Sequence, residues 1–96
     1  MDDILSRIEH TVLGPETTPA DVEAVLDDAS EYGLRACIPP CYLELAGEYA
    51  PDVEVATVIG FPHGNHTTAA KVAEAEDAVE AGADELDMVC NVGLLK

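Results

Sequence analysis

Apolar residues in this chain fall into short runs that alternate with longer stretches of helical period. Ile8–Leu13 is a β-like run closed by Gly14-Pro15. Val22, Val25, Leu26 and Ala29 then recur at the spacing of one helix face. Thr18 is placed to cap that helix, with Pro19 at its first position and Asp21 completing an approximate capping box. Gly33 ends it. Leu34–Ile38 reads as a strand stopped by Pro39-Pro40, and Cys41–Tyr49 as a shorter helix weakened by Gly47. Val53–Ile59 is rich in β-branched residues and is the clearest strand. Gly60 to Asn65 form a loop by composition, Thr67–Ala81 an alanine-rich helix ended by Gly82, and Ala83–Asn91 a last strand.

The resulting order is β-α-β-α-β-α-β, which predicts a parallel sheet with right-handed crossovers. Two architectures fit: an open doubly wound sheet, or part of a (β/α)8 barrel. A full barrel takes roughly 250 residues. The 96 residues here supply about half of one. A half-barrel leaves its first and last strands with unpaired edges, which favours association.

Charge narrows the partners. Twenty acids stand against four bases, a formal charge of -16. That excludes a nucleic-acid backbone or an anionic membrane as partner. The acids are interleaved with apolar periodicity, unlike those of a disordered acidic tail. Such density fits a protein adapted to concentrated salt, where screening removes the self-repulsion. The acidic start Met1-Asp2-Asp3 lacks the basic region of a secretory signal, and no apolar run approaches membrane-spanning length. Cys37, Cys41 and Cys90 are an odd set without paired spacing. A reducing cytoplasm is the expected setting.

Alternation in the last strand puts Leu86, Met88 and Cys90 on one side and Glu85, Asp87, Val89 and Asn91 on the other. An acid in so apolar a strand costs free energy unless a cation or hydrogen-bond donors meet it. Glu9, Thr11 and Cys37 fall on the corresponding polar faces of their strands, and all four are read as lying near the carboxyl ends. Inside a barrel they would converge on a pocket with a carboxylate fit for proton transfer. On a solvated face they would do nothing, and spacing leaves both readings open. His10 alternates with Ile8 and Val12 and is expected behind the sheet. His63 and His66 lack nearby thiols, and Pro39-Pro40 keeps Cys37 and Cys41 off a shared helical face, so no metal site is expected. Neither a dinucleotide fingerprint nor a lysine-bearing phosphate loop is present.

Four segments occur in a telling order. They are Ile8-Glu9-His10-Thr11-Val12-Leu13, Ala36-Cys37-Ile38-Pro39-Pro40-Cys41-Tyr42, Ala56-Thr57-Val58-Ile59-Gly60-Phe61-Pro62-His63-Gly64 and Gly82-Ala83-Asp84-Glu85-Leu86-Asp87-Met88-Val89. Together they resemble the N-terminal half of deoxyribose-phosphate aldolase. The resemblance implies that residues 1–96 are the first half of a single (β/α)8-barrel domain. It implies a cytoplasmic, metal-free and cofactor-free class I aldolase of deoxyribose phosphate breakdown. That family cleaves 2-deoxy-D-ribose 5-phosphate reversibly to acetaldehyde and D-glyceraldehyde 3-phosphate through a lysine Schiff base. Asp87 matches the family's proton-relaying aspartate; Thr11 and Cys37 match pocket positions, and Glu9 stands where an acid is usual. Many relatives have a lysine where Gly14 stands and an asparagine where Pro39 stands.

The family's Schiff-base lysine lies on the sixth strand and its lysine neighbour on the seventh, so both are expected after Lys96. Lys71 is expected on an outward-facing helix and Lys96 in a loop or the next helix. This chain alone is therefore expected to be inactive. The partners expected are a small phosphorylated sugar or aldehyde and a second copy of the protein. The alternative is a non-catalytic half-barrel that self-associates or binds a phosphorylated ligand.

Overall fold

The computed structural model describes residues 9–95. Ile8 and Lys96 lie outside them. Among the described residues four strands and four helices follow one another: β1 (Glu9–Thr11), α1 (Pro19–Tyr32), β2 (Arg35–Cys37), a 3-10 turn (Pro40–Tyr42) running into α2 (Leu43–Tyr49), β3 (Val55–Ile59), α3 (Thr68–Glu80), β4 (Glu85–Met88) and α4 (Val92–Leu95).

Local chemistry sets the long helices. Thr18 accepts a hydrogen bond from the Asp21 amide, and the Asp21 carboxylate accepts one from the Thr18 amide, so the capping box is complete. Gly33 takes the left-handed conformation (φ 69°) that stops α1. Thr67 caps α3 by accepting from the Ala70 amide. The second helix differs from expectation. Pro39-Pro40 opens a 3-10 turn, and regular helix starts only at Leu43. β3 begins at Val55, not Val53. The Val53 amide is bonded back to Ala50 in a turn, while the Val55 amide donates to the Asp84 carboxylate at 2.8 Å.

All pairings are parallel and the strand order is β1-β2-β3-β4. Register places Glu9, Thr11, Arg35, Cys37, Ala56, Val58, Glu85 and Asp87 on one face. His10, Ala36, Val55, Thr57, Ile59, Leu86 and Met88 occupy the other.

One continuous core joins Val22, Leu26 and Ala29 of α1, Leu43 and Ala46 of α2 and Ala78 of α3 to Ala36, Ile38, Val55 and Ile59. The three long helices therefore cover the same face. Thr57 is fully buried among them, and its hydroxyl donates to the Ile38 carbonyl at 2.7 Å. His10 lies behind the sheet as expected, with Nε2 3.2 Å from an oxygen of Asp28 on α1. Sequential strand order with helices on a single face is the winding of a barrel. A doubly wound sheet reverses its order and carries helices on both faces.

Of the acids on the described residues, most are exposed, and the described cations are only Arg35 and Lys71. Repulsion among these carboxylates is screened over about 3 Å in molar salt, against about 10 Å at 0.1 M. Stability of the chain, followed by circular dichroism during thermal unfolding, is expected to rise steadily from dilute buffer to molar potassium chloride. Equal stability across the series contradicts this.

Candidate active site on the helix-free face

The face that carries no helix among the described residues holds a second, small cluster in which Cys37, Ala56 and Val58 pack with Leu13. The polar residues of the same face gather around it. A carboxylate oxygen of Glu9, the sulfur of Cys37 and a carboxylate oxygen of Asp87 lie within 4.8 Å of one another. Three of the four residues marked out in the sequence thus meet. Thr11, the fourth, pairs with Cys37 on the same face and is exposed.

Glu9 stands opposite Arg35 in the register, two positions before Thr11. It still reaches Asp87 because the curved sheet carries β1 toward β4.

Below Cys37 and Asp87 lies a charged layer that the sequence reading did not single out. Arg35 Nε is 2.9 Å from Glu54 Oε2, in ion-pair range but without hydrogen-bond alignment. Its Nη1 is 3.7 Å from Glu85 Oε2. Alternation places Glu85 on the Asp87 side, and the same rule finds Arg35, two positions before Cys37 on β2.

Crowding controls the protonation of the cluster. A hydrogen bond to Glu85, then burial, then the charges of Glu85 and Asp87 push the Glu9 carboxyl up to about 7, against a smaller opposing pull from Arg35. Burial, reinforced by Glu9, Asp87 and Glu85, pushes the Cys37 thiol up to about 11. Glu9, Cys37 and Asp87 have the donor types of a cation site. Yet a neutral thiol and a protonated carboxyl must each lose a proton before they ligate.

The mouth of the site is mostly apolar, with Thr17 and Glu74 also on its wall. A hollow of about 280 Å³ at the carboxyl ends of β1 to β3 is lined by Leu13, Gly14, Pro39, Tyr42, Val58 and Phe61, among others. Gly14 and Pro39, the two departures from the family pattern, both sit there. Gly64 closes the neighbouring loop onto β4. Its φ is 71°, and a side chain there would collide with the Cys90 carbonyl. Lys71 lies on α3 with its stem against Gly60, away from the carboxylate cluster.

Cys37 is 3 % exposed, whereas Cys41 and Cys90 are exposed. With iodoacetamide at pH 8, peptide mass spectrometry is expected to find Cys41 and Cys90 alkylated and Cys37 protected. The thiolate fraction of Cys37 is then only about a thousandth. Comparable labelling of all three contradicts this geometry.

No family model matches the chain. Individual proteins do. A deoxyribose-phosphate aldolase from Natronomonas pharaonis is 62% identical over 99% of this chain and 44% of its own length. One from Haloarcula marismortui is 64% identical over 100% of this chain and 41% of its own. Among solved structures, a tetrameric deoxyribose phosphate aldolase from Aeropyrum pernix superposes with a TM-score of 0.88 at 38% identity, covering 97% of this chain and 41% of that one. A putative deoxyribose-phosphate aldolase from Coccidioides immitis gives 0.91 at 38% identity, covering 98% and 38%. The four strands are thus half of the barrel seen in those neighbours, and the halophilic relatives fit an acidic protein. In sequence and in fold the chain belongs to the deoxyribose-phosphate aldolase family, and it spans less than half the length of the curated relatives it matches.

Proposed function

We propose that these residues form the first half of the catalytic domain of a class I aldolase. It would cleave 2-deoxy-D-ribose 5-phosphate reversibly to acetaldehyde and D-glyceraldehyde 3-phosphate in deoxyribose phosphate breakdown in the cytoplasm. The observation that carries the reading is the meeting of Glu9, Cys37 and Asp87 on the face that no helix of the described residues covers. Membership of an aldolase family supports it. No helix of the described residues is long and apolar enough to cross a membrane.

In this reading a lysine contributed by residues beyond this chain condenses with the sugar aldehyde and releases water. The protonated imine withdraws electrons from the adjacent carbon. Asp87 accepts the proton of the hydroxyl on the carbon that leaves. The carbon–carbon bond breaks, its electron pair forms the enamine, and the leaving carbon becomes the aldehyde of glyceraldehyde 3-phosphate. The same carboxyl then returns its proton to the enamine carbon, and water releases acetaldehyde. Cys37 and Thr11 line the space beside the reacting carbons. Glu9 modulates the charge around Asp87. The apolar mouth holds the hydrocarbon part of the aldehyde.

The lysines of this chain do not serve as the amine. Lys71 lies on a helix of the opposite face and does not belong to the cluster. Treated with acetaldehyde and borohydride, the 96-residue chain is expected to gain no covalent adduct. A protein of full family length carrying this sequence is expected to gain one. In that protein Asp87→Asn is expected to slow release of glyceraldehyde 3-phosphate by about 10²–10⁴-fold. A stable adduct on Lys71 or Lys96, or a loss below tenfold in the variant, would overturn the assignment.

A further inference from the structure

The hollow at the mouth of the site is walled by segments that follow the carboxyl ends of β1, β2 and β3. Loops at that end of a barrel meet the substrate, and their walls must hold still to tell a small molecule from a larger one. Two hydrogen bonds between a side chain and a backbone group hold these walls, and each is made by a side chain that itself lines the hollow.

The first bond joins the β1 loop to the β2 turn. Gly14 to Thr17 form a closed turn, in which the Thr17 amide and hydroxyl both donate to the Gly14 carbonyl, at 3.1 and 2.6 Å. The Tyr42 hydroxyl, carried by the 3-10 turn after β2, donates to the Thr17 carbonyl at 2.9 Å across 25 positions of sequence. The second bond joins the β3 loop to α3. Glu74 Oε1 accepts from the Gly60 amide at 2.8 Å. Gly60 is buried at the first position after β3, with φ 68°. Its carbonyl accepts from the Gly64 amide at 2.7 Å, which closes the turn that carries Phe61. Phe61 is exposed and lines the hollow from that turn.

We propose that Tyr42 and Glu74 are positioning residues that set the width of the mouth, and with it a preference for a short aldehyde. The bearing on substrate choice rests on the aldolase reading; the two latches concern the geometry of this chain alone. Neither residue belongs to the cluster of Glu9, Cys37 and Asp87. The ring of Tyr42 packs against the core, so its packing and its hydroxyl have separable roles. One methylene more or less in an apolar pocket is worth about 10–200-fold in kcat/KM. A wall free to move yields space to the larger substrate and narrows that ratio.

A protein of full family length carrying this sequence is compared with its variants, with acetaldehyde and propanal in turn as the donor aldehyde. Tyr42→Phe keeps the ring and removes the hydroxyl. Glu74→Met keeps the length of the side chain and removes the acceptor, while Glu74→Gln keeps an acceptor oxygen. Tyr42→Phe and Glu74→Met are each expected to narrow the acetaldehyde-to-propanal ratio of kcat/KM by about two- to tenfold, the worth of one hydrogen bond, with the change carried by KM. Glu74→Gln is expected to keep the wild-type ratio. Amide hydrogen exchange at Gly60, measured without substrate, is expected to quicken by a similar factor in Glu74→Met and to keep its wild-type rate in Glu74→Gln. An unchanged ratio in Tyr42→Phe or in a folded Glu74→Met, or unchanged exchange at Gly60 in the latter, overturns the proposal. So does a Glu74→Gln protein altered as much as Glu74→Met. Should Glu74→Met fail to fold, the ratio in Tyr42→Phe decides. Exchange needs no turnover. Its failure therefore leaves the aldolase reading standing, and failure of the Asp87→Asn prediction leaves the latches standing.

Discussion

Curvature of the sheet is the constraint on which the site depends. Parallel strands twist and coil, and a one-sided layer of helices bends the sheet around its uncovered face. Here that bend brings β1 and β4 together at the level of their side chains, although two strands separate their backbones. A flat sheet of the same sequence would spread Glu9, Cys37 and Asp87 along a solvated surface. The curved sheet gathers them within 4.8 Å. Fold and chemistry therefore share one cause. The helices bury Ala36, Ile38, Val55 and Ile59 on the convex side, and the polar alternates converge on the concave side.

Convergence also fixes the charge state. Carboxyls crowded onto a concave surface cannot all ionise at neutral pH, because each negative charge raises the cost of the next. Arg35 relieves part of that cost at the Glu85 end, and a proton on Glu9 relieves another part. Cys37, pushed up to about 11, contributes bulk and a weak donor but no charge. A carboxylate beside neutral, hydrogen-bonded neighbours is a suitable group for taking a proton and giving it back. The exposed acids on the helices play a different part: they set solubility and response to salt, not chemistry.

Much of this was legible in the sequence where short-range physics decides. Thr18, Pro19, Asp21 and Gly33 mark the two ends of α1 through backbone capping, which needs no tertiary knowledge. Alternation correctly sorted Glu85 and Asp87 from Leu86 and Met88, because side-chain direction in a strand has period two. Long-range bonds were out of reach. The start of β3 at Val55 depends on the Asp84 carboxylate, 29 positions away. The 3-10 turn before α2 depends on how Pro39-Pro40 meets the end of β2. Glu9 was assigned to the correct face. Alternation reports which side a residue faces, not how sheet curvature carries one strand over another, and for the same reason the approach of Arg35 to Glu85 beneath the cluster went unread.

The central claim is that the first and last strands meet across the concave face. Side-chain nuclear Overhauser contacts measured in the intact chain address it most directly. The account predicts cross-peaks between the Glu9 γ-protons and the side-chain protons of Glu85 and Asp87, together with Val58–Asp87 contacts from the β3–β4 pairing. Cross-peaks from Glu9 to Arg35 alone, with none to β4, would contradict it.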